Sequence, residues 1–319
     1  MALLLGPLVL LLSGCNAQSI ERNLRFGWHT GVTKQATEMR TLWTWAGVTA
    51  LIVGVIMWGL IFWAIIAYRK KSDELPKQFK YNLPLEIVYS VAPFVIIAGL
   101  FYRTVVVEDN VNHLSKSPDV VVQVDAFKWN WQFEYHTFKD QSGATITTAY
   151  PGLANPLAPH DPKVPFYLST VGSDNEIPVM VIPIGRTVQI IEHSDDVVHS
   201  FWVPQFLFKR DVIPYGAPST LTTRDNRFEI TPIATGSFVG RCAELCGTYH
   251  SQMNFEVRVV QPDVYAKYMA ALTAIGPDDP ARQVKALTAA SVPGGPVATT
   301  TYPFTTDRTV RSASERNGS

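Results

Sequence analysis

The sequence predicts a membrane-anchored α+β chain, with a two-helix transmembrane hairpin followed by an all-β sandwich or barrel. Three observations carry that reading. Residues 42–67 hold no charged side chain over 26 positions, and roughly 20 apolar residues suffice to cross a bilayer. Residues 87–107 are nearly as apolar, interrupted only by Arg103 near the far end, where a long side chain reaches the interface. From about residue 118 the apolar runs shorten and their period drops to two, the spacing of a half-buried strand. The length of 319 residues allows about two domains.

Taken in chain order, residues 2–12 form an apolar stretch ending in Leu12-Ser13-Gly14-Cys15. That is the small-residue cleavage context of a secretory signal, and it is similar to a bacterial lipobox. Residues 1–14 are expected to be a signal peptide, Cys15 a lipidated N-terminus, and 15–40 an external segment. No Lys or Arg precedes the apolar stretch, which departs from the usual signal. The hairpin is expected over 41–107. Arg69, Lys70, Lys71, Lys77 and Lys80 crowd its loop, which reads as cytoplasmic under the positive-inside rule. Arg22, Arg25, Lys34 and Arg40 before the first span blunt that signal, and the lipidated N-terminus sets the orientation better. The N-terminus and everything beyond the second span are then outside the cytoplasm of a bacterial plasma membrane.

Beyond the membrane, Val120–Val124, Val179–Ile182, Val188–Ile191, Ser237–Arg241 and Asn254–Val260 read as strands bounded by Pro and Gly. They define a β domain over 118–262. Residues 137–168, rich in Pro, Ala and Thr without alternation, are expected to be a surface insertion. Tyr265–Ile275 reads as a short closing helix. From 276 to 319 the composition, poor in aromatics, is expected to stay disordered because it buries too little apolar surface to offset ordering entropy. Neither a glycine-rich phosphate loop nor a basic nucleic-acid patch is present, so nucleic acid is not an expected partner.

The chemistry concentrates in Cys242-Ala-Glu-Leu-Cys246-Gly-Thr-Tyr-His250-Ser-Gln-Met253. Two thiols, an imidazole and a thioether suit a soft metal, with copper the first candidate. Two cysteines four residues apart can face one point and bridge two ions, with His and Met at the ends. The missing imidazole falls to His199 in Asp195-Asp196-Val-Val-His199-Ser-Phe-Trp, where a strand end places it; His193 is the nearest rival. A disulfide and a Cys2His2 zinc site are the bland alternatives. His29, His113, His136 and His160 have no partner cluster. The three cysteines divide into one for lipid and two for metal.

This pattern resembles subunit II of the cytochrome c oxidases, whose binuclear copper centre, CuA, has the motif Cys-x-Glu-x-Cys-x-x-x-His-x-x-Met. The resemblance covers most of residues 40–262 and implies a cupredoxin-like Greek-key sandwich. It implies that Cys242 and Cys246 bridge two coppers, that His199 and His250 each give an imidazole, that Met253 gives a thioether and Glu244 a backbone carbonyl. The Glu244 side chain would also reach a magnesium or manganese ion shared with subunit I. In Lys128-Trp129-Asn130-Trp131-Gln-Phe133-Glu134-Tyr135 the two tryptophans are expected on one face of a strand. Trp129 matches the family residue that takes an electron from cytochrome c, whereas core packing accounts equally for Trp131.

Residues 118–262 carry 15 acidic against 10 basic side chains, a net of −5, which would steer a basic partner. Glu134, Asp174 and Asp196 match family docking carboxylates. Glu86 matches the mouth of a proton pathway, although a helix N-terminus favours a carboxylate in any case. The resemblance thus implies subunit II of an aa3-type, proton-pumping oxidase. Its partners would be subunit I and other oxidase subunits, a soluble or membrane-tethered cytochrome c, and membrane lipid. The non-enzymatic alternative is a membrane-anchored copper carrier or assembly factor.

Overall fold

A computed structural model describes residues 28–75, 79–139, 142, 144–147, 168–173, 176–214 and 226–299. Cys15, Asp174, His160 and the 300–319 part of the expected tail lie outside them. The chain divides into two compact units: Glu38–Val111, and the residues on either side of that stretch.

The first unit is built on α1 (Lys34–Ala67) and α2 (Leu83–Asn112), both long and apolar enough to cross a membrane. Within them Thr44, Thr49 and Thr104 donate their hydroxyls to the carbonyls four residues back. Their polar atoms are thereby satisfied inside the helix, as an apolar surround requires. The start of α2 is fixed by a reciprocal cap. Asn82 Oδ1 accepts from Leu85 N at 3.4 Å, and the Glu86 carboxylate accepts from Asn82 N at 3.0 Å. Asn110 Nδ2 donates to Glu38 Oε2 at 3.0 Å, joining the end of α2 to the start of α1, so the pair is an antiparallel hairpin.

The second unit is a two-sheet sandwich. Its strands are β1 Val120–Phe127, β2 Asn130–Lys139, β3 Thr145–Thr147, β4 Ser169–Val171, β5 Val179–Pro183, β6 Val188–Ser194, β7 His199–Val203, β8 Phe208–Val212, β9 Arg227–Ile230, β10 Gly236–Cys242 and β11 Asn254–Val260. One sheet runs β3-β2-β1-β6-β9, with β4 on β2; the other runs β5-β11-β10-β7-β8. The pairs β1/β6 and β5/β11 are parallel and the others antiparallel. Alternation turns Val122, Val124, Phe133 and Tyr135 of the first sheet onto Val181, Phe201, Phe255 and Val257 of the second. Phe255 stacks on Phe201 at 4.6 Å between ring centroids and meets Trp131 and Phe133 edge-on. A Cβ at Gly240 would lie 2.0 Å from the Phe255 ring, so glycine is what lets that ring reach the centre.

The sandwich expected from the period-two runs is therefore present, with every expected strand in it. Three local expectations are corrected. Trp129 does not share a strand face with Trp131. Phe127 pairs with Asn130, so Lys128 and Trp129 form a two-residue turn, while Trp131 is the second residue of β2 and is fully buried. The insertion expected from 137 is not all irregular: β2 continues through Lys139 and β3 pairs with it. Residues 276–299 are not a disordered tail. After α3 (Pro262–Ala274) comes α4 (Arg282–Ala289), with Gln283, Ala286 and Leu287 buried.

The reason is polar as much as apolar. Gln283 Oε1 accepts the Val179 N–H on the outer side of β5 at 2.7 Å, and its amide donates to Ile177 O at 3.0 Å. Further on, the fully buried Arg258 of β11 donates to Glu256 at 2.6 Å, to Val297 O at 2.6 Å and to Gly295 O. Glu256 in turn accepts from Thr299 N at 2.8 Å. With these segments outside and the first sheet inside, β5 and β11 are buried on both faces, which explains the unbroken apolar run of β5 and the paired burial of Glu256 and Arg258 on the outer face of β11.

Candidate metal centre

The last residue of β10, the first of β7 and the segment entering β11 bring the metal-ligating side chains together. Cys242 is held by its own amide, which donates to Met253 O at 3.0 Å, and Ala243 N donates to Ser200 O at 3.0 Å. The loop then turns through Gly247, and His250–Gln252 form one 3-10 turn. In it His250 N donates to Gly247 O at 3.2 Å and Met253 N to His250 O at 3.2 Å. Sequence proximity thus becomes spatial convergence through a short hydrogen-bonded loop, and His199 arrives from the neighbouring strand.

The sulfurs of Cys242 and Cys246, both free thiols, stand 3.7 Å apart, a span that metal–sulfur bonds of about 2.3 Å can bridge. His199 Nδ1 lies 3.8 Å from Cys242 Sγ and His250 Nδ1 3.5 Å from Cys246 Sγ. Met253 Sδ is 3.8 Å from Cys246 Sγ, and Glu244 O is 3.2 Å from Cys242 Sγ. His199, Cys242 and Cys246 are buried, whereas the Glu244 side chain faces solvent. A set of two thiols, two imidazole Nδ1 atoms, a thioether and a carbonyl, buried except at His250 and Glu244, fits a soft or borderline metal and offers a hard cation little. His193, the rival ligand, points to the other face of its sheet.

The electrostatics favour a thiolate. The Cys242 thiol is pushed down to about 4, chiefly by the neighbouring Cys246 thiol, against burial and with help from His199. Cys246 is raised because it then sits beside a thiolate and is itself buried. The pair gives up its first proton readily, and the second is one that a bound cation displaces. Burial lowers His199, but Cys242 and Asp196 outweigh it, so its affinity for a proton is raised.

Asp196 was expected on a docking surface, yet its carboxylate is spent locally. Oδ1 lies 2.8 Å from His199 Nε2 and accepts from Val197 N at 2.6 Å, while Oδ2 accepts from Lys128 N at 2.7 Å. It orients the ring so that Nδ1 faces the sulfurs, as carboxylates do behind metal-bound histidines. Glu134 is a correction: only 5% exposed, it presents no carboxylate to a partner. Burial, then the charge of Asp125, push it up to about 10. Its burial depends on strands distant in sequence, which no local pattern reveals. Glu86 sits apart, capping α2.

Trp129 is half-buried on the metal loop. Its Nε1 donates to Cys246 O at 3.1 Å and its ring meets Tyr249 edge-on at 5.0 Å. Trp131 Nε1 donates to Met253 O at 3.2 Å. The sequence reading passed over Gly247, whose φ of +118° favours glycine and where a Cβ would lie 3.1 Å from the indole, so that the ring would have to give by a few tenths of an ångström. Its place directly after Cys246 was the available signal.

A family model described as cytochrome C oxidase subunit II, periplasmic domain, matches residues 120–260. The probable cytochrome c oxidase subunit 2 of Nocardia farcinica is 44% identical, covering 98% of this chain and 89% of its own. Cytochrome c oxidase subunit 2 of Mycobacterium tuberculosis is 41% identical over 97% and 89%, and that of Corynebacterium glutamicum 40% over 93% and 88%. Among solved structures, the periplasmic domain of subunit II from Bradyrhizobium japonicum covers 50% of this chain and 98% of its own at 24% identity and a TM-score of 0.34. A chain of a heme-copper terminal oxidase dimer covers 67% and 97% at 16% identity and a TM-score of 0.26. With near full-length relatives at this identity, the chain belongs to the cytochrome c oxidase subunit II family, whose members are subunits of an oxidoreductase complex.

Proposed function

We propose that this chain is the electron inlet of a proton-pumping haem–copper oxidase, taking single electrons from cytochrome c and delivering them towards haem in subunit I. The convergence of Cys242, Cys246, His199, His250 and Met253 around one buried point is the observation that carries this reading. These residues, with the Glu244 carbonyl, would hold two copper ions. When bound, such a centre supplies one-electron redox chemistry with a charge change spread over both metals. The hydrogen-bonded loop holds the donors in place, and the burial of His199, Cys242, Cys246 and Met253 keeps water from them. Trp129, hydrogen-bonded to the backbone of Cys246, is the residue through which the donor would make contact. The exposed Glu244 carboxylate is free to reach a magnesium or manganese ion at a subunit boundary.

In this reading α1 and α2 anchor the chain in a bacterial plasma membrane with the β unit outside the cytoplasm and Cys15 lipidated. Glu86 stands at the cytoplasmic start of α2, where its capping bond accounts for it structurally and a proton-pathway role is an added proposal. The deciding experiment is electron paramagnetic resonance with copper quantitation on the full chain in lipid. A multi-line signal from one electron shared over two coppers per chain supports the inlet. A single-copper spectrum, or copper that exchanges readily, supports a carrier instead.

A further inference from the structure

The outer face of the first sheet holds a polar group that the metal centre does not use. Asp125 on β1 stands in register with Gln132 on β2 and with His193 on β6, and Glu134 stands opposite Gln123. Alternation places all five away from the sandwich core, yet Asp125 is only 4% exposed. His193 Nδ1 lies 3.2 Å from Asp125 Oδ1 and 3.3 Å from Asp195 Oδ1, so one imidazole stands between carboxylates from two different elements. Asp125 Oδ1 also accepts from Gln123 Nε2 at 2.8 Å, while its buried Oδ2 has no hydrogen-bond partner. Two carboxylates meeting at one nitrogen repel each other, and a cationic ring between them offsets that repulsion.

The loop beyond His193 leads to the metal. Asp195 N donates to Ala126 O at 3.0 Å. Asp196 binds both the Lys128 amide, next to Trp129, and the ring of His199. What fixes this loop therefore fixes the spacing between the inlet tryptophan and the first imidazole.

We propose that His193 is a positioning residue. Bridging Asp125 and Asp195, it fastens the Asp195–Val198 loop to the first sheet, holds Asp196, Trp129 and His199 in register, and does so most firmly while its ring is the imidazolium cation. The structural claim stands by itself; its consequence for electron uptake rests on the inlet reading above. The groups in contact with His193 are Asp125 on β1 and Asp195 in its own loop; Glu134 and His136 on β2 and Arg227 and Glu229 on β9 share the outer face of the sheet by register, and Lys128 lies in the adjoining turn. Glu134 is uncharged at neutral pH. Burial alone would lower the basicity of His193, but the hydrogen bond to Asp125 and the charges of Asp125 and Asp195 outweigh it and raise it. A raised imidazole contributes fully below its ordinary value of 6.5, and the contribution is lost as pH rises through the folded-state value. The loop therefore loosens towards alkaline pH.

The test is amide hydrogen exchange, read by mass spectrometry over the 194–199 peptide and corrected for intrinsic pH dependence. It uses the copper-loaded full chain in nanodiscs at about pH 6 and about pH 9, with copper content and electron uptake from reduced cytochrome c measured in parallel. The native loop is expected to exchange about tenfold faster at the higher pH, the factor corresponding to one charge-assisted hydrogen bond, and uptake should slow with it. His193→Gln should exchange fast at both, and Asp195→Asn should lose the step even if His193→Gln fails to fold. A native loop with no step, or a step surviving in either folded variant, overturns the inference. A native chain that binds no copper overturns the inlet reading while leaving the exchange result to be read separately.

Discussion

Replacing Gly247 by alanine tests how the inlet tryptophan is seated on the metal loop. Gly247 has a φ of +118°, a conformation that costs an L-residue about 1–3 kcal/mol. The added Cβ would lie 3.1 Å from Trp129 Cζ2 and 3.3 Å from Nε1, so the indole has to give by a few tenths of an ångström. It also meets Tyr249 edge-on, and moving it strains the 3.1 Å bond to Cys246 O, worth about 1 kcal/mol net. Together the two effects predict a loss of about 2–4 kcal/mol, measurable as a shift in urea midpoint at constant slope. Trp129→Phe, which loses the hydrogen bond without backbone strain, should cost the smaller share. Electron uptake should slow in both variants while copper content holds. If Gly247→Ala stays within about 0.5 kcal/mol of the native chain, with native uptake, the indole is not seated by this glycine and the reasoning fails.

Asp196→Asn removes the charge behind His199 and should weaken copper affinity about 10- to 100-fold, read by chelator competition; an unchanged affinity would show that the ring needs no such support. Glu134 holds its proton in the folded state up to about 10, against an ordinary 4.5. The folded chain thus binds more protons, and stability should fall as pH climbs between those values. Denaturant titrations of Glu134→Gln should lack that slope, and a slope that persists unchanged would assign it elsewhere. Arg258→Met leaves Glu256 buried without its partner and should cost about 3–5 kcal/mol, whereas adding Glu256→Met should recover part of the loss. Chemical denaturation giving the double variant as the weaker of the two would contradict that account of the buried pair.

The metal loop was legible because its ligands crowd into one short stretch, where spacing and side-chain chemistry leave few alternatives. The strands were legible where alternation or apolar runs persist, as in Val120–Val124 and Asn254–Val260. Residues 282–289 were misread because Arg-Gln-Val-Lys-Ala-Leu-Thr-Ala has few large apolar groups. Its order comes from Gln283 meeting the outer side of β5 and from the chain beyond it meeting Arg258, contacts more than a hundred and about forty residues apart in sequence. Glu134 looks like a surface carboxylate by its neighbours in the chain, and Asp196 looks like another.

What the sequence by itself determined is the donor set, the two apolar spans and the β character of the domain, since each depends on residue type and local period. Tertiary structure alone decided which carboxylates are free. It seated Trp129 in a turn against Gly247, gave Asp196 to His199, and buried Asp125 beside His193 and Glu134 beside Asp125. Those outcomes depend on register between strands far apart in the chain, and the cost of burying a charge is set by what the fold brings next to it.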